Sequence, residues 1–141
     1  MKNEKFNSKK IAFAGFGILA AVIATKVIYS TVKKAVKGSV TKEVEKLVES
    51  SELSFLEHQY MSFADQFYVA MKGFGTDEKL INEIISKLKT PSDWYELVVR
   101  FGERKSGNFK GNLVSWLSDE LSNSDLNKYV KIPLSKIGAK F

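Results

Sequence analysis

Hydrophobic and polar positions divide the chain into three regions, of which the first is the most apolar. Residues 11–32 carry Lys26 as their only charge, and lysines stand on both sides of the stretch. At about 1.5 Å per residue this stretch makes a helix of roughly 33 Å, enough to cross a bilayer core. Lys26 lies near one end, where its side chain can extend toward the lipid headgroups. We therefore predict a single-pass membrane anchor over residues 1–38.

Three other interpretations fit parts of the same stretch. A signal peptide cleaved near Thr25 would need the apolar character to stop there, but it resumes after Lys26. A buried globular helix would show a polar face, which the stretch lacks. The pattern Gly15-x-Gly17-x-x-Ala20 is typical of a dinucleotide site, but no second strand ending in an acid follows it. A retained anchor is the preferred prediction, and cleavage stays an open alternative.

The second region, residues 39–58, is predicted to form an amphipathic linker helix. Apolar side chains recur there at helical spacing among Glu and Lys, namely Val40, Val44, Leu47, Val48, Phe55 and Leu56. Acids outnumber bases in this segment, whereas a helix lying on anionic lipid would be basic. We therefore expect the linker helix to pack on the following domain or on a second copy of the chain.

The third region, residues 59–141, shows helical spacing interrupted by residues that begin or end helices. A first helix, roughly Gln59–Met71, is expected to end at Gly73, and Thr76 or Asp77 to cap the second helix. The second helix carries an apolar stripe formed by Leu80, Ile81, Ile84, Ile85 and Leu88. This spacing predicts two amphipathic helices joined by a short glycine-containing loop.

Further helices follow in the same region. The third is predicted at the sequence TPSD, where Thr90 caps, Pro91 starts the first turn and Asp93 completes a capping box. A polar, glycine-rich loop, GERKSGNFKGN, leads to a fourth helix, and a last helix is expected to end before Pro133. No segment shows period-2 alternation, so the predicted fold class is all-α, with four or five short helices packed across one another.

Charge and composition exclude several classes of function. The net charge of +6 is concentrated in residues 1–40, which carry +7, while residues 41–59 carry −3 and residues 60–141 carry +2. No arginine-rich surface is predicted, so nucleic-acid binding is not expected. The chain has no cysteine and a single histidine, His58. Disulfides, thiolate chemistry and multi-histidine metal sites are therefore excluded.

The loop between the first two helices carries a resemblance to a known family. Residues 70–78 read AMKGFGTDE, which resembles the loop A-M-K-G-x-G-T-D-E of one annexin repeat. The likeness extends to LINEIISKL in the second helix and to NLVSWLSDELS in the fourth, and it covers residues 60–130. This chain differs from annexins in having one repeat, an apparent anchor and a polar insertion around residues 103–112. The resemblance implies a compact annexin-repeat-like domain over residues 59–141.

The resemblance also implies a Ca²⁺ site that binds phospholipid. Its carbonyl ligands would come from Met71, Gly73 and Gly75, and its carboxylate from Glu120, with Asp119 as the alternative. Phe74 at the loop tip would contact the membrane. Calcium prefers six to eight oxygen ligands, and glycines allow carbonyls to turn inward. The same glycines also suit a plain helix–helix turn, with Gly73 as a left-handed cap, so the loop sequence alone supports both interpretations.

These observations lead to two functional hypotheses and one that is disfavoured. The first is a non-enzymatic, membrane-anchored, annexin-like protein whose domain contacts lipid or neighbouring proteins with Ca²⁺. The second is a calcium-independent structural membrane protein, for example of a lipid-containing phage virion, that packs against other copies or coat proteins. A hydrolase using Glu120 or Asp119 is disfavoured because neighbouring acids on one helix point about 100° apart. Lysines flank the anchor on both sides, so its orientation is undecided.

Overall fold

The computed structural model describes residues 41–141, and the predicted anchor at residues 1–38 lies outside them. The elements in chain order are α1 (Thr41–Glu45), a 3₁₀ turn (Ser50–Glu52), α2 (Glu57–Met71), α3 (Glu78–Lys87), α4 (Pro91–Phe101), β1 (Arg104–Ser106), β2 (Phe109–Gly111), α5 (Leu113–Glu120), α6 (Asn123–Leu126), a π-helical turn (Asn127–Lys131) and α7 (Ile132–Lys136). No helix within residues 41–141 has the length and apolarity needed to cross a membrane.

Helix α2 lies at the centre of the fold and packs against α3, α4 and α5. Its inward face and the apolar stripes of the other helices meet in one core. The largest fully buried side chains include Tyr60, Phe67, Met71, Ile81, Ile84, Trp94, Leu97, Trp116 and Leu117. The predicted helical class is confirmed for the described residues, and the stripe on α3 faces the core as the spacing indicated.

The prediction of strictly all-α structure is wrong at residues 104–111, where a short β-hairpin stands in place of the expected loop. Arg104 pairs with Gly111 and Ser106 with Phe109 in antiparallel register, and Gly107 adopts a left-handed φ of 55° at the turn. Each strand has three residues, too few for the alternation of side chains to be visible. The usable signal was the Gly107–Asn108 pair, which is typical of a two-residue hairpin turn.

The predicted linker helix over residues 39–58 is also wrong as a continuous helix. Within its described part, α1 ends at Glu45, a 3₁₀ turn follows, and the chain is extended at Leu53 and Leu56. The expectation that this segment packs on the next domain is confirmed, because Val44 is buried in the common core. The helix breaks because polar side chains at the start of α4 bind the backbone that a helix would have used internally.

Three side chains at the start of α4 make these contacts. The N–H of Glu49 donates to Ser92 Oγ at 3.1 Å, and the N–H of Ser54 donates to Asp93 Oδ1 at 2.8 Å. The hydroxyl of Thr90 donates to the carbonyl of Glu52 at 2.9 Å. Residues 49–54 therefore belong to the same folded unit as the helices, and the predicted boundary near residue 58 does not separate two packed bodies.

The last helix does not end before Pro133, contrary to the sequence prediction. The backbone continues from α6 through the π-helical turn into α7, and the N–H of Ile132 donates to the carbonyl of Asn127. A proline inside a regular α-helix lacks a donor and its ring collides with a carbonyl one turn back. The wider π turn before Pro133 relieves that collision, so the chain remains helical.

Candidate functional site

The loop between α2 and α3 is held at both ends by hydrogen bonds. The N–H of Lys72 donates to the carbonyl of Tyr68 at 2.9 Å, and the N–H of Asp77 donates to the carbonyl of Ala70 at 2.9 Å. The side chain of Asp77 caps α3 by accepting from the N–H of Leu80 at 2.9 Å. Of the two predicted caps, Asp77 is therefore the one used, and the loop is a closed turn with fixed ends.

Two glycines give this loop its shape. Gly73 has a φ of 102° and Gly75 a φ of 79°, both in the region that side chains with a Cβ rarely adopt. Within residues 41–141, no group donates a hydrogen bond to the carbonyl of Met71, Gly73 or Gly75. The three oxygens named from the annexin resemblance therefore retain their capacity to accept a ligand.

The distant acid reaches this loop. The hydroxyl of Thr76 donates to Glu120 Oε2 at 2.9 Å across a separation of 44 residues, and it lies 3.5 Å from the carbonyl oxygen of Glu120. Glu120 is the last residue of α5 and is half-buried, whereas its neighbour Asp119 is exposed. Of the two acids predicted as ligands, the structure brings Glu120 to the loop by a direct contact.

Thr76 is the residue whose role the sequence did not reveal. Its type and position suggested a helix cap, but its hydroxyl instead joins the loop to α5. Two adjacent residues that can both cap a helix leave one free for another contact. The presence of Asp77 directly after Thr76 was the available signal.

The hairpin does not disturb this arrangement, although it lengthens the chain between the loop and Glu120. Its Phe109 ring lies 5.1 Å from the Trp116 ring, nearly perpendicular to it, and the Trp116 indole N–H donates to the carbonyl of Arg104 at 3.2 Å. The hairpin is thus packed against α5 at Trp116. The start of α5 is set by Asn112, whose side chain accepts from the N–H of Ser115.

The tip of the loop presents an aromatic ring to solvent. Phe74 is fully exposed, while the neighbouring Met71 is fully buried. Phe74 lines a shallow depression beside the loop together with two lysines and two acids, Lys72, Lys79, Asp77 and Glu78. Covering this ring would gain about 2 kcal/mol of burial. The position predicted for membrane contact is therefore open to a partner.

The residues named as ligands carry oxygen donors, which is the ligand type that Ca²⁺ prefers. No group of three or more acidic or histidine side chains gathers anywhere in the described residues, so a site here would use backbone oxygens. Together the three carbonyls and the Glu120 carboxylate would offer four or five oxygens to such an ion, and Ca²⁺ takes six to eight. The remaining positions suit water or a lipid phosphate.

A second polar cluster lies at the start of α4 and has a structural role. Asp93 is fully buried and accepts hydrogen bonds from the Tyr60 hydroxyl at 2.5 Å and from the N–H groups of Ser54, Lys89 and Thr90. Burial raises the pKa of Asp93, but these hydrogen bonds outweigh it and hold the pKa below its usual range. Burial and the nearby carboxylate raise the pKa of Tyr60. The pair fastens residues 49–54 to the domain.

Comparison of the chain with protein-family models, with characterised proteins and with solved structures gave no match. The likeness to an annexin repeat therefore rests on residues 70–78 and the two helical segments quoted above, and membership of that family stays a prediction.

Proposed function

We propose that the chain is a non-enzymatic, membrane-anchored protein whose helical domain contacts phospholipid through the α2–α3 loop, with Ca²⁺ as the cofactor. The observation that carries the proposal is the hydrogen bond from Thr76 to the Glu120 carboxylate. It places a negative charge beside a glycine loop whose carbonyls are unbonded within the described residues. Both features are what a calcium site with few side-chain ligands requires.

Each residue of the loop has a distinct part in the proposed contact. Gly73 and Gly75 turn the backbone so that its carbonyls are available, and Glu120 supplies the charge. Phe74 enters the lipid interface, where leaving water contributes about 2 kcal/mol. A bound Ca²⁺ would supply the positive charge that lipid phosphate oxygens coordinate.

One such site is weak by itself, and the predicted anchor would compensate for that. A tether keeps the loop near the bilayer, so docking becomes an intramolecular step at high effective concentration. The domain then needs only a small free energy of docking to spend most of its time on the surface.

A calcium-independent structural role is the second candidate, and the same hydrogen bond supports it. Because Thr76 already satisfies Glu120 in part, the loop is complete without an ion. In this alternative the domain packs against other copies or coat proteins, as in a lipid-containing virion, and Phe74 contacts a neighbouring protein.

The two candidates are separated by a fluorescent probe at the loop tip. The chain has no cysteine, so Phe74→Cys in the full-length protein carries an environment-sensitive dye at one place. In vesicles of phosphatidylcholine and phosphatidylserine, Ca²⁺ should shift the emission to the blue, and a chelator should reverse the shift. Glu120→Gln retains an acceptor for Thr76 and should abolish the response. The matched variant Asp119→Asn should keep it.

The opposite results would refute the calcium proposal. A blue shift that ignores Ca²⁺ and survives Glu120→Gln favours the structural alternative. If the emission stays unchanged with every lipid and ion, lipid contact through this loop is wrong.

A further inference from the structure

Residues 139–141 leave the last helix and lie against the start of α4. Helix α7 ends at Lys136, and Gly138 then turns the backbone with a left-handed φ of 77°. The N–H of Ala139 donates to the carbonyl of Leu134 at 3.0 Å, which closes the helix end in the manner of a Schellman cap. Residues 139–141 are thus a separate irregular segment, which we call the strap.

Two neighbouring side chains of α4 bind the strap by its backbone. The Trp94 indole N–H donates to the carbonyl of Lys140 at 3.1 Å, and the N–H of Lys140 donates to the Tyr95 hydroxyl oxygen at 3.3 Å. Within the described residues, Lys140 is the hydrogen-bond partner of both side chains, although both are buried. These contacts would hold any residue that has a backbone N–H. We call the site formed by Trp94 and Tyr95 the α4 slot.

The residues on either side of Lys140 make the α4 slot selective. Ala139 is buried, so its position admits a small side chain. The Phe141 ring stacks on the Trp94 ring at a centroid distance of 6.2 Å, and Lys131 Nζ lies 5.4 Å from the centroid of the Phe141 ring. Lys140 itself is exposed. The α4 slot therefore fits a segment of the pattern small-x-aromatic, in which the middle side chain is free to vary.

The strap is held as a tethered ligand is held. Its partners on α4 lie 45 and 46 residues earlier in the chain, so no local structure fixes it there. Two hydrogen bonds and one stacked ring secure Lys140 and Phe141, and each such contact contributes modestly. A tethered ligand competes with free ligands at an effective concentration in the millimolar range. A free segment that binds more tightly, or is locally as concentrated, would therefore displace the strap.

We propose that the α4 slot is a peptide-binding site for segments of the pattern small-x-aromatic, and that the strap keeps it closed. The strap is the occupant that the structure shows, and it defines the chemistry of the ligand. Displacing it would uncover Trp94 and Tyr95, side chains of the type that anchor protein–protein contacts. The inference goes beyond the proposed function, because it concerns a different surface and depends neither on Ca²⁺ nor on the α2–α3 loop.

Release of the strap is measured with a dye on its exposed residue. Lys140→Cys in the full-length protein carries a single label and leaves the backbone contacts in place, because the chain has no other cysteine. The synthetic peptide IGAKF, which is residues 137–141, should lower the fluorescence anisotropy of this label at millimolar concentrations. The matched control is Lys136→Cys, an exposed position on α7 before the strap, whose anisotropy should not change.

Selectivity is tested by changing the peptide. The peptide with Lys140→Glu should act as well as IGAKF, because the middle side chain is exposed. The peptide with Phe141→Ala should need about tenfold higher concentration, since it lacks the stacked ring. The peptide with Ala139→Leu should fail, because the small side chain at this position is buried.

The closing role of the strap is tested in the protein. Full-length Phe141→Ala has a weaker strap, so the midpoint for binding a labelled IGAKF peptide should fall by up to about tenfold. Ile132→Ala removes an exposed apolar side chain from α7 and is the matched control, whose midpoint should equal that of the wild type.

Three results would overturn the slot proposal. An anisotropy at Lys140→Cys that ignores the peptide at every concentration makes the strap a fixed part of the core. Equal action of IGAKF and its Phe141→Ala form removes the selectivity on which the proposal depends. Equal midpoints for wild type and the Phe141→Ala protein show that the peptide binds elsewhere. None of these results bears on lipid contact through Phe74, which the dye at that position tests separately.

Discussion

Asp93 provides the sharpest test of how the domain is held together. Its two oxygens accept from four donors, namely Ser54 N and Tyr60 Oη at Oδ1 and Lys89 N and Thr90 N at Oδ2. In Asp93→Asn the amide oxygen can keep one pair of donors, but the amide NH₂ then faces the other pair, which includes at least one backbone N–H. Hydrogen bonds to a charged acceptor contribute about 1.5–3 kcal/mol each. We therefore expect the free energy of unfolding to fall by about 3 kcal/mol or more.

The pH dependence follows from the lowered pKa of Asp93. Its contribution to stability is fully present above the unfolded-state pKa of about 3.9 and is lost as the pH falls through the lower folded-state value. The wild type should therefore lose stability below about pH 4, and Asp93→Asn should lose less in that range. Both stability curves come from urea denaturation followed by the fluorescence of the two tryptophans, Trp94 and Trp116, with the exposed Asp119→Asn as the control. A decrease in the free energy of unfolding of less than about 1 kcal/mol in Asp93→Asn would refute the assigned role. So would an equal loss of stability below pH 4 in the variant and the wild type.

Three further substitutions test separate elements by the same denaturation measurement. Thr90→Ala removes a helix cap and the bond to the carbonyl of Glu52, so it should cost about 1–2 kcal/mol, and Thr90→Ser should recover most of this. Gly75→Ala should cost about 1–2 kcal/mol through backbone strain alone, because a Cβ there would meet no neighbour. Phe109→Ala should expose Trp116 and red-shift its emission with a modest loss of stability, and an unchanged spectrum would contradict the packing of the hairpin.

Local signals in the sequence located most of the helices. The capping box at Thr90 and Asp93 is present as expected, and Asp77 caps α3. These signals work because a cap depends on the backbone within one turn. The prediction of a linker helix was wrong because the contacts that decide this segment are not local. Ser92 and Asp93 bind residues 49–54 from about forty positions away. No pattern within residues 39–58 encodes that contact.

The candidate site was only partly predictable. The annexin resemblance named Glu120, and the contact with Thr76 brings it to the loop. Neither the spacing nor the composition of the chain could show this, because the contact depends on how α5 crosses α2. The ion pair between Arg104 and Asp65 on α2 was unpredictable for a similar reason, because the hairpin that carries Arg104 was not expected.

The hairpin explains how a longer chain between the loop and Glu120 still delivers the carboxylate. Arg104 and Gly111 are directly paired, so their Cα atoms lie about 5 Å apart. The inserted hairpin therefore begins and ends at nearly the same place. The end of α4 and the start of α5 are consequently as close as a short turn would hold them. The hairpin also contacts α2, because the Arg104 guanidinium pairs with Asp65 and the Tyr68 hydroxyl donates to the carbonyl of Lys105. An insertion that preserves the loop geometry thus also joins the hairpin to α2 through the Arg104–Asp65 ion pair.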